Sequence, residues 1–93
     1  MNIILSTAEV LTKQDLESEA KRCNARLPTE SELLPGHWTI VSLSEEQQEF
    51  QSEWDYIFVY RSNKGKIIKR DLYTMAESSD GGSEMIHYQL IKD

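Results

Sequence analysis

The chain has little of what usually carries chemistry or covalent bracing: in 93 residues there are one cysteine, two histidines, two prolines and four glycines. A single cysteine, Cys23, can neither close an internal disulfide nor build a cysteine-rich zinc site, and it fits a reducing compartment. The two histidines, His37 and His87, stand far apart in sequence with no ligand spacing around either, so no metal is expected. The few glycines form no phosphate-cradling loop, and no Ser-His-Asp arrangement stands out. Long apolar runs are missing as well. Met1–Leu5 is too short for a signal peptide, and nothing approaches the roughly 20 apolar residues of a membrane span, so a cytoplasmic protein with no membrane partner is expected. Repeats and low-complexity tracts are absent too.

Basic residues are scarce in the first part of the chain. Residues 1–55 hold 4 basic and 11 acidic side chains (4 − 11 = −7), and residues 56–93 hold 6 and 5 (6 − 5 = +1), which sums to the net charge of −6. That balance disfavours nonspecific binding to nucleic acid; the asymmetry can orient a partner, although on a small domain it is more often simply a solvated face.

What is present is a folded composition, 39% hydrophobic with two Trp, four Tyr and two Phe, in a length that makes one domain over 1–93. The densest local signal is Arg26-Leu27-Pro28-Thr29-Glu30-Ser31-Glu32-Leu33-Leu34. Pro28 holds Leu27 extended, Thr29 and Glu32 have the spacing of a capping box, and Pro35-Gly36 stops the helix after about one and a half turns. So short a helix depends on packing, through Leu27, Leu33 and Leu34. Upstream, residues 2–5 read as a strand. Thr12 caps a helix over Lys13–Cys23 whose inner stripe is Leu16, Ala20 and Cys23, and Asn24 terminates it. Downstream, His37–Leu43 reads as a strand and residues 44–53 as a loop or one loose turn. Trp54–Arg61 reads as a central strand, Ser62–Gly65 as a hairpin turn and Lys66–Thr74 as the returning strand. A polar loop is expected over Glu77–Ser83, and a closing strand over Met85–Ile91. Two short helices early and an antiparallel sheet late make an α+β domain.

The order of these pieces resembles the C-type lectin-like fold, in the form shared by formylglycine-generating sulfatase-modifying enzymes and by short bacterial and phage lectin-like domains. The counterparts are Leu16-Ala20-Cys23, Arg26 to Leu33, Trp38-Thr39, the hairpin over 54–74 and Ile86 to Ile91. The resemblance implies two short N-terminal helices packed on a small sheet whose first and last strands are adjacent. Activity does not carry over. The sulfatase-modifying enzymes need a cysteine pair, which one cysteine cannot form, and the Glu-Pro-Asn and Trp-Asn-Asp tripeptides with which sugar-binding lectins hold calcium do not occur here.

Cys23, on the apolar stripe at a helix C-terminus, is expected to be a structural thiol. Carboxylate pairs such as Glu30/Glu32 and Glu45/Glu46 have no apolar pocket in the sequence pattern to split their acidities, so an enzyme is not expected, and no cofactor is implied. Two candidate binding surfaces are left. One is the basic hairpin, Tyr60, Arg61, Lys64, Lys66, Lys69 and Arg70, which can meet phosphates or an acidic protein; hairpin lysines also serve simply to block edge-to-edge association. The other is the acidic stretch 44–54 with Phe50 and Trp54, in the position of the long loop of lectin-like domains. The resulting expectation is a noncatalytic protein-binding module, either a phage structural component such as a decoration or adaptor protein, or a soluble inhibitor docking on a host protein such as a nucleic-acid-processing or defence enzyme. Carbohydrate binding is a further alternative, one that needs aromatics and amides clustered in a pocket.

Overall fold

A computed structural model describes residues 1–51, 54–79 and 85–93. The elements run β1 (Asn2–Thr7), α1 (Lys13–Arg22), a single 3-10 turn (Glu30–Glu32), β2 (His37–Ser42), α2 (Glu45–Gln51), β3 (Tyr56–Arg61), β4 (Ile67–Arg70), α3 (Leu72–Ser79) and β5 (Ile86–Ile91). The strands form one five-stranded sheet in the order β1-β5-β2-β3-β4, so the first strand lies beside the last. Its pairs are antiparallel except β2 with β5, which run parallel through Trp38 and Tyr88. The sheet is therefore mixed, a correction to the antiparallel sheet expected from sequence. Strand pairing between segments fifty residues apart leaves no local mark in the chain.

The strand alternation sorts side chains onto two faces. On one face Ile40, Tyr56, Phe58, Ile86, Tyr88 and Leu90 pack with Leu16 and Ala20 of α1 and Met75 of α3, and this is the main core. The buried Tyr88 satisfies its hydroxyl by accepting from the Leu11 N–H at 3.0 Å, and burial pushes the pKa of the phenol up. The other face carries a smaller cluster, Ile57 and Val59, closed by Leu33 from the segment around the 3-10 turn.

The Arg26–Leu34 segment is tied to the sheet at both ends. Arg26 and Ile91 exchange two backbone hydrogen bonds of 2.8 Å, and the Arg26 guanidinium forks onto both oxygens of Glu32 at 2.9 and 2.8 Å while reaching Asp93 at 3.2 Å. Glu32 also accepts from the Thr29 N–H at 2.9 Å, the backward half of the expected capping box. The Glu32 N–H goes to the Thr29 carbonyl, as a 3-10 turn requires. At the other end Gln89, fully buried on β5, accepts from the Leu34 N–H at 2.7 Å and donates to the Glu32 carbonyl at 2.9 Å and to Asn2 Oδ1 at 3.0 Å.

Further corrections concern helices. Residues 45–51 form α2 where a loop or loose turn was expected. The cause is a Ser-x-x-Gln capping box: Gln47 N–H donates to Ser44 Oγ at 3.2 Å and Ser44 N–H to Gln47 Oε1 at 3.0 Å. The strand expected over Lys66–Thr74 stops at Arg70, because Asp71 accepts from the Thr74 N–H at 2.8 Å and starts α3. Of the loop expected over Glu77–Ser83, residues 77–79 belong to α3 and residues 80–83 lie outside the described residues. The helix expected over 30–34 is the single 3-10 turn at 30–32, while Thr12 and Asp15 cap α1 reciprocally and Asn24 ends it at φ 58°, as expected.

Candidate functional site

The basic hairpin is largely absorbed into the fold. Arg61 leaves the β3 end on the face of Leu33 and spends its donors on three backbone carbonyls, those of Leu33 (2.7 Å), Glu30 (3.1 Å) and Gly65 (3.2 Å). It holds the 3-10 segment and the hairpin turn against the end of β3. Lys69 pairs loosely with Glu30 at 3.8 Å. Arg70 lies 5.9 Å above the centre of the Trp38 ring, and Tyr60, opposite Trp38 in the β2–β3 register, stacks on that ring at 4.7 Å and 28°. The three side chains thus form one stack across β2, β3 and β4. Lys64 and Lys66 differ: they are exposed at the turn and have no ion pair or side-chain hydrogen bond among the described residues. Gly65 supplies the turn's left-handed residue at φ 88°.

The acidic segment presents a different picture. α2 carries Glu45, Glu46 and Glu49, all exposed, and Phe50, which is 81% exposed despite being fully apolar. Trp54, just beyond, is 42% exposed and so is not a core residue. The helix, created by Ser44 and Gln47, fixes Phe50 within one turn of Glu46 and Glu49. The sequence signal for this helix was the Ser44–Gln47 spacing itself, legible as a capping box although followed by no apolar stripe.

An open groove of about 940 Å³ runs along α1 and the 24–27 segment, lined among others by Gln14, Lys21, Asn24, Arg26 and Tyr56. Its volume suits a small ligand. Tyr56 is its one aromatic and is 7% exposed, which leaves no ring face of the size on which a sugar stacks.

Among the described residues, the carboxylates with displaced acidities all move the same way. Glu32 is held down to about 2, from an ordinary 4.5, first by Arg26 and then by the Thr29 N–H. Asp15 and Asp71 are lowered by the backbone N–H groups of Thr12 and Thr74 that they cap. A general acid working near neutral pH needs the opposite displacement.

The fold also brings His37 and His87 together. They occupy neighbouring strands, one residue before the Trp38–Tyr88 pair, with ring centres 6.1 Å apart and planes inclined at 53°. His37 Nδ1 donates to the Pro35 carbonyl at 2.8 Å, and His87 Nδ1 lies 2.6 Å from Ser6 Oγ. Sequence separation hid this pairing, since only the parallel β2–β5 contact creates it. Among the described residues no group of three or more His, Cys, Asp or Glu is placed to hold a metal ion. Cys23 is half-buried, at the C-cap of α1.

No helix among the described residues is long and apolar enough to cross a membrane. Against known proteins, the chain matches no family model, no curated protein and no solved structure.

Proposed function

We propose that this chain is a noncatalytic protein-binding module of C-type lectin-like architecture, and that it docks on a basic protein surface through α2 and Trp54. The observation that carries the reading is Phe50, 81% exposed on a helix with Glu45, Glu46 and Glu49. An aromatic of this kind, ringed by charge, is the usual anchor of an interface: it fills a pocket, and the surrounding charges steer and orient. The adjacency of β1 and β5 and the seating of the Arg26–Leu34 segment on the sheet support the lectin-like part of the reading. The downward displacement of Asp15, Glu32 and Asp71, each by a structural hydrogen bond, supports the noncatalytic part.

Of the two partner classes, a single aromatic in an acidic rim suits a soluble inhibitor covering a basic site on a host protein better than a virion decoration, which needs a broad apolar contact. Nucleic acid is disfavoured by the charge of −6. A sugar ligand is disfavoured by the shielding of Tyr56 in the α1 groove.

Affinity capture from a host lysate tests the proposal with three proteins: the unaltered chain, Phe50→Ala, and the double charge reversal Lys64→Glu/Lys66→Glu. Loss of the partner in Phe50→Ala, by about 30-fold or more in affinity as for an interface hot spot, is the expected result. Loss only in the lysine reversal moves the surface to the hairpin turn, and retention by all three overturns the proposal.

A further inference from the structure

We propose that His37 and His87 form a binding site for a divalent transition-metal ion, with zinc the natural candidate. The site lies on the sheet face opposite α1, away from the α2 surface, and it is independent of the partner-binding reading.

The spacing fits. With a metal–nitrogen bond of about 2.0–2.1 Å, each imidazole centre stands about 3.2 Å from a shared ion, so two rings on one ion are about 5 Å apart at a tetrahedral angle and up to about 6.4 Å apart at a straight one. The observed separation of 6.1 Å lies inside that range, and a ring movement of under about 1 Å reaches the tetrahedral value.

The protonation pattern fits as well. A carbonyl oxygen only accepts, so the 2.8 Å contact to Pro35 puts the His37 proton on Nδ1 and leaves the Nε2 lone pair for a ligand bond. Ser6 is a hydroxyl and adapts: when it accepts from His87 Nδ1, His87 Nε2 is likewise a lone-pair donor. Metal-binding histidines are characteristically oriented this way, with the second ring nitrogen donating to a backbone carbonyl or polar side chain. Both rings sit on strands inside the sheet, β2 and β5, rather than on a loop, so their separation is fixed by the backbone pairing at Trp38 and Tyr88. His87 is exposed and His37 half-buried, which gives an ion access and leaves its other coordination positions to water.

The test is titration of the intact chain with zinc chloride, read by calorimetry and by NMR of the histidine rings, with variants His37→Gln, His87→Gln and Ser6→Ala. Expected are one zinc per chain, saturation below about 1 mM free metal with a raised melting temperature, and shifts of the signals of both rings at the same zinc concentration. Each histidine variant is expected to weaken binding at least about tenfold. Ser6→Ala, which removes only the orienting hydroxyl, should weaken it by about tenfold while zinc still shifts both rings. Cys23→Ser should leave binding unchanged. Binding that survives both histidine variants, or that disappears with Cys23→Ser, or an absence of saturable binding by the folded chain, overturns the proposal.

Discussion

Replacing Gln89 with leucine should detach the Arg26–Leu34 segment from the sheet without emptying the space it covers. The two side chains are of similar volume and Gln89 is 0% exposed, so the substitution removes hydrogen bonds rather than packing. Three bonds go: the Leu34 N–H, the Glu32 carbonyl and Asn2 Oδ1 lose their partner. Asn2 is exposed and regains water, so its loss costs little. The Leu34 N–H and Glu32 carbonyl lie between the segment and the sheet, and each stranded backbone group costs about 1–2 kcal/mol, which gives about 2–4 kcal/mol in all. Against a total stability of about 5–15 kcal/mol for a domain of this kind, that is a large fraction, equivalent to a melting temperature lower by roughly 10–20 °C. Urea unfolding followed by Trp fluorescence should show a lower midpoint with an unchanged slope, because the surface exposed on unfolding is the same. Native-state hydrogen exchange adds a local reading: the Leu34 amide should lose protection while amides in the β1–β5 pairing keep theirs. A loss under about 0.5 kcal/mol, with Leu34 still protected, would refute the reasoning and assign the seating of the segment to burial of Leu33 alone.

Two further outcomes follow from the carboxylates. Because Glu32 titrates at about 2 in the folded chain against an ordinary 4.5, its contribution to stability is complete above pH 4.5 and is lost as pH falls through 4.5 toward 2. Asp15 and Asp71, lowered in the same direction, deepen that acid loss. Urea midpoints measured from pH 7 down to pH 3 should therefore decline, and Glu32→Gln should flatten the decline; an identical profile in the variant would exclude Glu32 as its source. Asp71→Ala removes the N-cap of α3 and should cost about 1 kcal/mol, with increased exchange at the Thr74 amide as its local sign.

Much of the scaffold was legible in the chain because its cues are local. Thr12 and Asp15 announce α1, Asn24 its end, and the run from Tyr56 to Arg61, apolar on both faces, an inner strand, although the centre of the sheet is β2 and β3 lies one place from the edge. The failures have one physical source each. Ser44 and Gln47 form a capping box ahead of a polar helix, so no apolar stripe advertises α2. Leu72, Tyr73 and Thr74 are tolerable strand residues, and only the Asp71 cap, a side-chain choice between turn and ladder, converts them to helix. The parallel contact of β2 with β5, which brings His37 beside His87, is a property of sheet order and has no expression in either strand's own residues.

The same distinction decides which part of the candidate binding surface can be tested. Counting charges along residues 60–70 marks five cations as one patch, but a count of charges says nothing about where each donor goes. Arg61 has three carbonyl partners, two in the 30–33 segment and one in its own hairpin turn, and Arg70 and Tyr60 belong to the stack on Trp38. Removing any of these perturbs the turn, the 3-10 segment or the sheet edge, so a lost interaction in such a variant reports damaged folding as readily as a damaged interface. Phe50, Lys64 and Lys66 are exposed and have no such partners among the described residues. Truncating Phe50 should leave stability within about 0.5 kcal/mol, as for exposed positions generally. Binding lost at Phe50 with stability intact therefore separates recognition from scaffold, a separation that substitutions at Arg61 or Arg70 cannot make.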